Sequence, residues 1–175
     1  MENKSPADIT TIILTYNEEM HIERCILSIK DIVKRVVVID SFSTDNTLNI
    51  AKKYNIEVFK KEYISFSDKI NWSLKNANIK TNWVLRLDAD EIMTKALAKE
   101  IVENLDHYPS NISAVSINRE LIFLGKNINF GRTFPHRTTR IWKNGKAKMQ
   151  NVLIDEDMDV DGDVAFMKGS IVDHN

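Results

Sequence analysis

The chain has 175 residues, a length that suits one domain with a sizeable buried core. Hydrophobic residues make up 43% and charged residues 28%, which excludes a disordered chain. Lysine and arginine (24) almost balance aspartate and glutamate (25), so the net charge of −1 gives no reason to expect nucleic acid as a partner, and any electrostatic function must come from local clustering.

Cys25 is the single cysteine, so no internal disulfide can form and a reducing compartment is expected. The opening MENKSPADIT has no apolar h-region, and no apolar run approaches the roughly 18 residues of a membrane helix. A cytoplasmic protein is the expectation. All five glycines lie after residue 124, so the first two thirds hold neither a G-x-G-x-x-G fingerprint nor a Walker A loop.

Ile9 to Leu14 reads as a short buried strand, β-branched and bounded by polar residues. After Thr15-Tyr16-Asn17-Glu18-Glu19 comes a helix with Ile22, Cys25, Ile26 and Ile29 at i, i+3, i+4 and i+7. Val36 to Ile39 is a second strand ending at Asp40, and Ser41 to Thr47 is rich in helix-capping residues ahead of Leu48, Ala51 and Tyr54. Ile56 to Phe59 reads as a third strand, and Asp68 to Ala77 as a helix with Ile70, Leu74 and Ala77 on one face. Trp83 to Leu87 is another buried strand and runs into Asp88-Ala89-Asp90-Glu91. A helix carrying Leu97, Ile101, Val102 and Leu105 and a strand at Ser113 to Ile117 follow.

Strands alternating with helices predict right-handed βαβ units and a mostly parallel sheet. Ligands bind such sheets beyond the carboxyl ends of the strands. Three of those ends are polar here, at Thr15 to Glu18, Asp40 to Asp45 and Asp88 to Glu91, and they are expected to converge on one crevice. After residue 118 the periodicity weakens. Lys126 to Lys148 is basic throughout, and Asp155, Glu156, Asp157, Asp159, Asp161 and Asp163 then crowd together. The expected organisation is a single domain over 1–175, with a first lobe at about 1–117 and a smaller second lobe at about 118–175.

Asp88-Ala89-Asp90 is the sharpest chemical signal. Side chains two apart in extended chain face the same way, so both carboxylates address one spot. Two like charges there are costly without a cation, and hard oxygen ligands suit Mg²⁺ or Mn²⁺. A helix N-terminus favouring acids is the plainer reading of the same residues. Asp157-x-Asp159-x-Asp161-Gly162 matches the opening of a calcium loop, but position 12 would be Lys168, and a solvated acidic turn is the better reading. In the basic stretch Arg137 and Arg140 are candidates for acceptor or diphosphate contacts, and Trp142 is a candidate for stacking on a sugar; a solvated basic face is the alternative. A haloacid-dehalogenase-type phosphatase would place Asp-x-Asp-x-Thr at the end of the first strand, whereas this pair lies far along the chain and is followed by Glu91-Ile92.

The runs Ile-Leu-Thr-Tyr-Asn-Glu-Glu, Val-Val-Val-Ile-Asp-Ser-Phe-Ser-Thr-Asp-Asn-Thr and Trp-Val-Leu-Arg-Leu-Asp-Ala-Asp-Glu, in that order, resemble glycosyltransferase family 2. Within it the chain is similar to bacterial lipopolysaccharide-core β-glucosyltransferases, which share a segment like Asn118-Arg119 through Phe123-Leu124-Gly125-Lys126 and a late histidine like His174. The resemblance implies a GT-A fold, a Rossmann-type, mostly parallel α/β sheet flanked by helices, with a nucleotide-binding lobe at about 1–117 and a smaller acceptor and catalytic-base lobe at about 118–175. It implies an inverting transferase that moves a sugar, glucose in the nearest group, from a UDP-sugar to a saccharide or glycolipid acceptor in surface polysaccharide synthesis, with peripheral contact to the inner membrane.

By that resemblance Thr15, Tyr16, Asn17 and Glu18 match the first nucleotide-contacting loop, and Asp40 with Ser41 matches the base-reading segment. Asp88 lies near the ribose and metal, Asp90 binds a Mg²⁺ or Mn²⁺ ion, and His174 completes the metal shell. Glu156 aligns with the catalytic base. Asp155 stands where the group has histidine, so Asp155 and Asp157 remain alternatives. Ser41 replaces the second aspartate of many members, so the choice of base is not implied. Family members usually continue with helices beyond the point where this chain stops, which leaves a fragment or a degenerate nucleotide-sugar-binding module as the alternative expectation.

Overall fold

A computed structural model of the chain describes residues 5–123, 126–127, 136–150 and 158–174. The first half alternates as expected through β1 (Ala7–Thr15), α1 (Ile22–Ile29), β2 (Val33–Asp40), α2 (Thr47–Lys53), β3 (Glu57–Lys60), α3 (Phe66–Asn76) and β4 (Trp83–Asp88); a short strand that the pattern did not predict, β5 (Glu91–Met93), then precedes α4 (Lys95–Asn104). A 3-10 turn at Leu105–His107 leads into β6 (Ile112–Phe123), β7 (Lys126–Asn127), β8 (His136–Lys143), β9 (Ala147–Met149), β10 (Met158–Val160) and β11 (Asp163–His174).

One sheet runs β3-β2-β1-β4-β8-β6-β11-β5, with β7 on β6, and β9 and β10 form a separate hairpin pair. The strands β3, β2, β1 and β4 are parallel. Beyond β4 the sheet is mixed, because β8 pairs antiparallel with both β4 and β6, β11 is parallel to β6, and β5 is antiparallel to β11. The expected parallel character therefore holds for β1 to β4. The strands β6, β8 and β11 extend the same sheet.

Helices on both faces make the central strands apolar throughout. Along β1, Ile9 and Ile13 pack with α1 and α4 residues such as Ile26, Ile29 and Leu97, while Ile12 and Leu14 pack on the other face with Ile70 of α3. Each such fully buried isoleucine contributes about 2 kcal/mol of hydrophobic stabilisation. Ser65 and Thr94 cap α3 and α4, accepting from the N–H groups of Asp68 and Leu97. Cys25 lies buried in the core, as its position on the apolar helix face predicts. Trp142 is fully buried, so it cannot offer a face to a sugar, and the stacking expectation for it is withdrawn.

Candidate active site

The register sets the expected polar ends side by side: Thr15 opposite Asp40, and Leu14 opposite Asp88. The loops after β1 and β2 interlock through side chains. The N–H of Asn17 donates to Ser43 Oγ (2.9 Å), that of Thr44 to Asn17 Oδ1 (2.9 Å), that of Glu18 to Thr47 Oγ1 (2.8 Å), and that of Glu19 to Asp45 Oδ2 (3.0 Å). Asn17 and Phe42 adopt left-handed backbone at φ 55° and 60°. For a phenylalanine this is strain of about 1 kcal/mol or more. Tyr16 and Phe42 stand exposed on this rim.

Asp40 is fully buried, and its carboxylate accepts from Thr15 Oγ1 (3.1 Å), Ser43 Oγ (2.5 Å) and Ser43 N–H (2.9 Å). It thus builds the loop whose rim it was expected to serve. Ser41 donates its N–H to the Thr15 carbonyl (3.0 Å), and its hydroxyl is buried without a hydrogen-bond partner among the described residues. Lys69 of α3 was missed by sequence reasoning. Its buried amine donates to the Thr15 carbonyl (2.9 Å). Burial drives the amine down to about 8, against the pull of Asp40 and Asp88. A lysine beside Ile70 on an otherwise core-facing stripe was the available signal.

Asp88 and Asp90 meet unlike surroundings. Asp88 Oδ2 receives Arg86 Nη2 (2.8 Å) and Arg140 Nη1 (3.4 Å), and the Asp88 N–H donates to Glu91 Oε2 (2.9 Å). Burial alone would raise Asp88, but the two guanidinium groups outweigh it and hold the carboxyl well below the usual carboxylate range. Glu91 is fully buried, and burial pushes it up, to about 7, even with Arg140 Nη2 at 2.5 Å and Arg119 Nε at 3.2 Å. Arg119 Nη2 also meets Asp173 Oδ2 (2.5 Å). Arg140 is therefore enclosed behind the D-x-D pair and does not face solvent as an acceptor contact, which corrects that expectation. Arg137 is exposed, with its guanidinium 4.1 Å from the Phe166 ring.

Asp90 makes no ion pair among the described residues, and burial followed by repulsion from Asp173 and Asp88 raises it. Glu18 is raised by burial and then by Asp90, Asp45 and Asp88. No three His, Cys, Asp or Glu side chains gather to hold a metal among the described residues. Asp90 and Glu18, which make no ion pair among the described residues, nevertheless fit a hard divalent cation in charge and donor type. The expected base positions, Asp155, Glu156 and Asp157, lie outside the described residues. The backbone of His174 closes β11, paired with Ile122, and its side chain is also outside them. A separate cavity of about 460 Å³ lies on the β9–β10 hairpin, lined by Gly145, Lys148, Asp159 and Asp161, away from these strand ends.

No helix among the described residues is long and apolar enough to cross a membrane. An uncharacterised glycosyltransferase of Rickettsia bellii is 30% identical over 152 residues, covering 83% of this chain and 49% of that protein. The chain spans about half the length of the curated Rickettsia relatives it matches. Among solved structures, S. aureus TarS in complex with UDP-GlcNAc superposes with a TM-score of 0.66 at 18% identity, covering 95% of this chain and 59% of that one. Glucosyl-3-phosphoglycerate synthase of Mycobacterium tuberculosis, in complex with Mn²⁺ and UDP-glucose, has a TM-score of 0.51 at 22% identity, covering 67% and 45%. At these identities the two structures carry the fold, and the sequence carries the family. The model of the family described as glycosyl transferase family 2 matches residues 10–174, and the chain belongs to that family.

Proposed function

We propose that the site binds a UDP-sugar with a divalent cation and transfers the sugar, glucose in the first instance, to a saccharide or glycolipid acceptor with inversion. The observation that carries the reading is the contrast within the D-x-D pair: one oxygen of Asp88 receives two arginines, while Asp90 is half-buried among like charges and lacks an ion pair among the described residues. The donors held by the two structural neighbours, UDP-GlcNAc and UDP-glucose, agree with a uridine nucleotide here.

In this reading the interlocked loops around Thr15, Tyr16, Asn17, Glu18, Asp40 and Ser41 cradle the nucleoside, with Lys69 adding positive charge beneath them. Asp90 and His174 would hold Mg²⁺ or Mn²⁺, with Asp88 beside the ribose. The cation supplies electrostatic stabilisation for charge building on the diphosphate oxygens. The acceptor hydroxyl oxygen attacks the anomeric carbon as the bond to the diphosphate breaks. Its proton passes to a carboxylate of the 155–157 segment, with Glu156 the assigned base and Asp155 or Asp157 the alternatives. Attack opposite the departing UDP turns an α-linked donor into a β-product. Arg137 is the basic candidate left facing the acceptor. The setting is bacterial surface polysaccharide or lipopolysaccharide synthesis in the cytoplasm, at the inner face of the membrane.

The test is UDP release from a panel of UDP-, GDP- and dTDP-sugars with Mn²⁺ or Mg²⁺, alongside calorimetric binding of each nucleotide. The expected result is metal-dependent UDP binding and turnover, lost by about a hundredfold or more in Asp90→Asn and in Glu156→Gln. Full turnover in Asp90→Asn overturns the metal assignment. Full turnover in Glu156→Gln moves the base to Asp155 or Asp157. UDP binding without transfer favours a binding module.

A further inference from the structure

Behind the D-x-D pair, groups of alternating charge run across five strands: Arg86 and Asp88 on β4, Arg140 on β8, Glu91 on β5, Arg119 on β6 and Asp173 on β11. Glu91 is 0%, Asp173 1% and Arg140 2% exposed. Burying so many ionised groups is expensive, and apolar side chains of similar volume often give a more stable protein. Stability therefore does not account for the series.

Its geometry is asymmetric. One oxygen of Asp88 receives two guanidinium groups, and the Asp88 N–H is tied to Glu91, which is itself held by Arg140 and Arg119. Asp90, two residues on, receives no such partner among the described residues. We propose that Arg140, assisted by Arg86, is a positioning residue of the donor site: it occupies one carboxylate oxygen of Asp88, so that Asp90 is the D-x-D carboxylate left open to a divalent cation. This rests on the donor-site reading above and adds to it a division of labour between the two aspartates.

The consequence has an unusual sign. Removing either guanidinium takes positive charge away from the acids and loosens the hold on the Asp88 carboxylate, so a bare cation binds more tightly. The donor is then held in the wrong place and turnover falls. A residue that only held the sheet together would weaken both in step with stability.

The experiment measures Mn²⁺ binding to the whole chain without nucleotide, by electron paramagnetic resonance of the free ion. It compares wild type, Arg140→Met, Arg140→Lys and the more peripheral Arg86→Met, with thermal melts and UDP-sugar turnover on the same samples. Both methionine variants are expected to bind Mn²⁺ about tenfold more tightly while turnover drops about tenfold or more. Arg140→Lys, which keeps the charge, is expected to stay within about threefold of wild type for Mn²⁺. If Arg140→Met does not fold, Arg86→Met and Arg140→Lys decide the matter. Mn²⁺ affinity unchanged or weakened in the folded methionine variants, with wild type binding both Mn²⁺ and UDP, overturns this inference alone. A wild-type chain that binds neither overturns the donor-site reading and this inference together.

Discussion

Lys69 places an amine where water is excluded, bonded to the Thr15 carbonyl between the fields of Asp40 and Asp88. Burial lowers it from 10.5 to about 8. Below about pH 8 the folded and unfolded chains both carry the proton, and the burial penalty is constant. Between about 8 and 10.5 the folded protein sheds a proton that the unfolded chain keeps, so the unfolded state binds more protons and stability rises with pH. Urea unfolding at pH 7.5 and 9.5 is therefore expected to show wild type gaining stability relative to Lys69→Met at the higher pH. A difference between the two proteins that stays flat across that interval contradicts the placement of the amine. Cys25, in the core cluster with α1 and α4, shows the opposite behaviour: burial and then Glu91, Asp88 and Asp90 raise its thiol, which donates to the Asp88 carbonyl at 3.6 Å and stays protonated.

The elements that position these residues differ in how openly the sequence announces them. From β1 to α4, apolar runs and 3.6-residue spacing suffice for every element except β5, whose three residues are too few to show a period. The strand β8 reads as a basic segment, His-Arg-Thr-Thr-Arg-Ile-Trp-Lys, yet it pairs with β4 and β6 in the middle of the sheet, where Arg140 meets Asp88 and Glu91 from far away in the chain. No local pattern announces that partnership. In β11 the alternation fails where the register with β6 shifts, between Phe166 and Ser170. Gly169 explains the break: a Cβ there would come within 2.5 Å of the Leu97 backbone N and Cα in α4. Backbone cannot yield as a side chain can, so Gly169→Ala is expected to cost about 3 kcal/mol by forcing α4 off the sheet. Thermal and urea unfolding read this directly. A loss below about 0.5 kcal/mol would mean that α4 does not press on β11 as described.

For the molecule as a whole, the site is assembled from both halves of the chain. Loops after β1 and β2 supply one wall, the turn after β4 supplies Asp90, and β6, β8 and β11 brace that turn through Arg119, Arg140 and Asp173. The strand-end motifs made the first part of this legible in sequence, whereas the bracing depends on ion pairs between residues 28 to 54 positions apart in the chain and is visible only after folding. A ligand seated in that crevice binds the folded state and not the unfolded one, so it must raise the melting temperature of the entire domain and not only order a loop. At a concentration 100 times its dissociation constant, a ligand stabilises by about 2.7 kcal/mol. For a chain of this size that is a rise of about 5–10 °C. UDP with Mn²⁺ is expected to produce such a rise in wild type. In Asp90→Asn the increment that Mn²⁺ adds to UDP is expected to vanish, while the variant without ligand melts no lower than wild type, because that aspartate is raised by burial and by Asp173 and Asp88, and removing its charge relieves repulsion. Differential scanning fluorimetry of the two proteins, with UDP alone and with UDP plus Mn²⁺, checks both halves of the expectation. An Mn²⁺ increment that survives in Asp90→Asn would place the cation elsewhere in the fold.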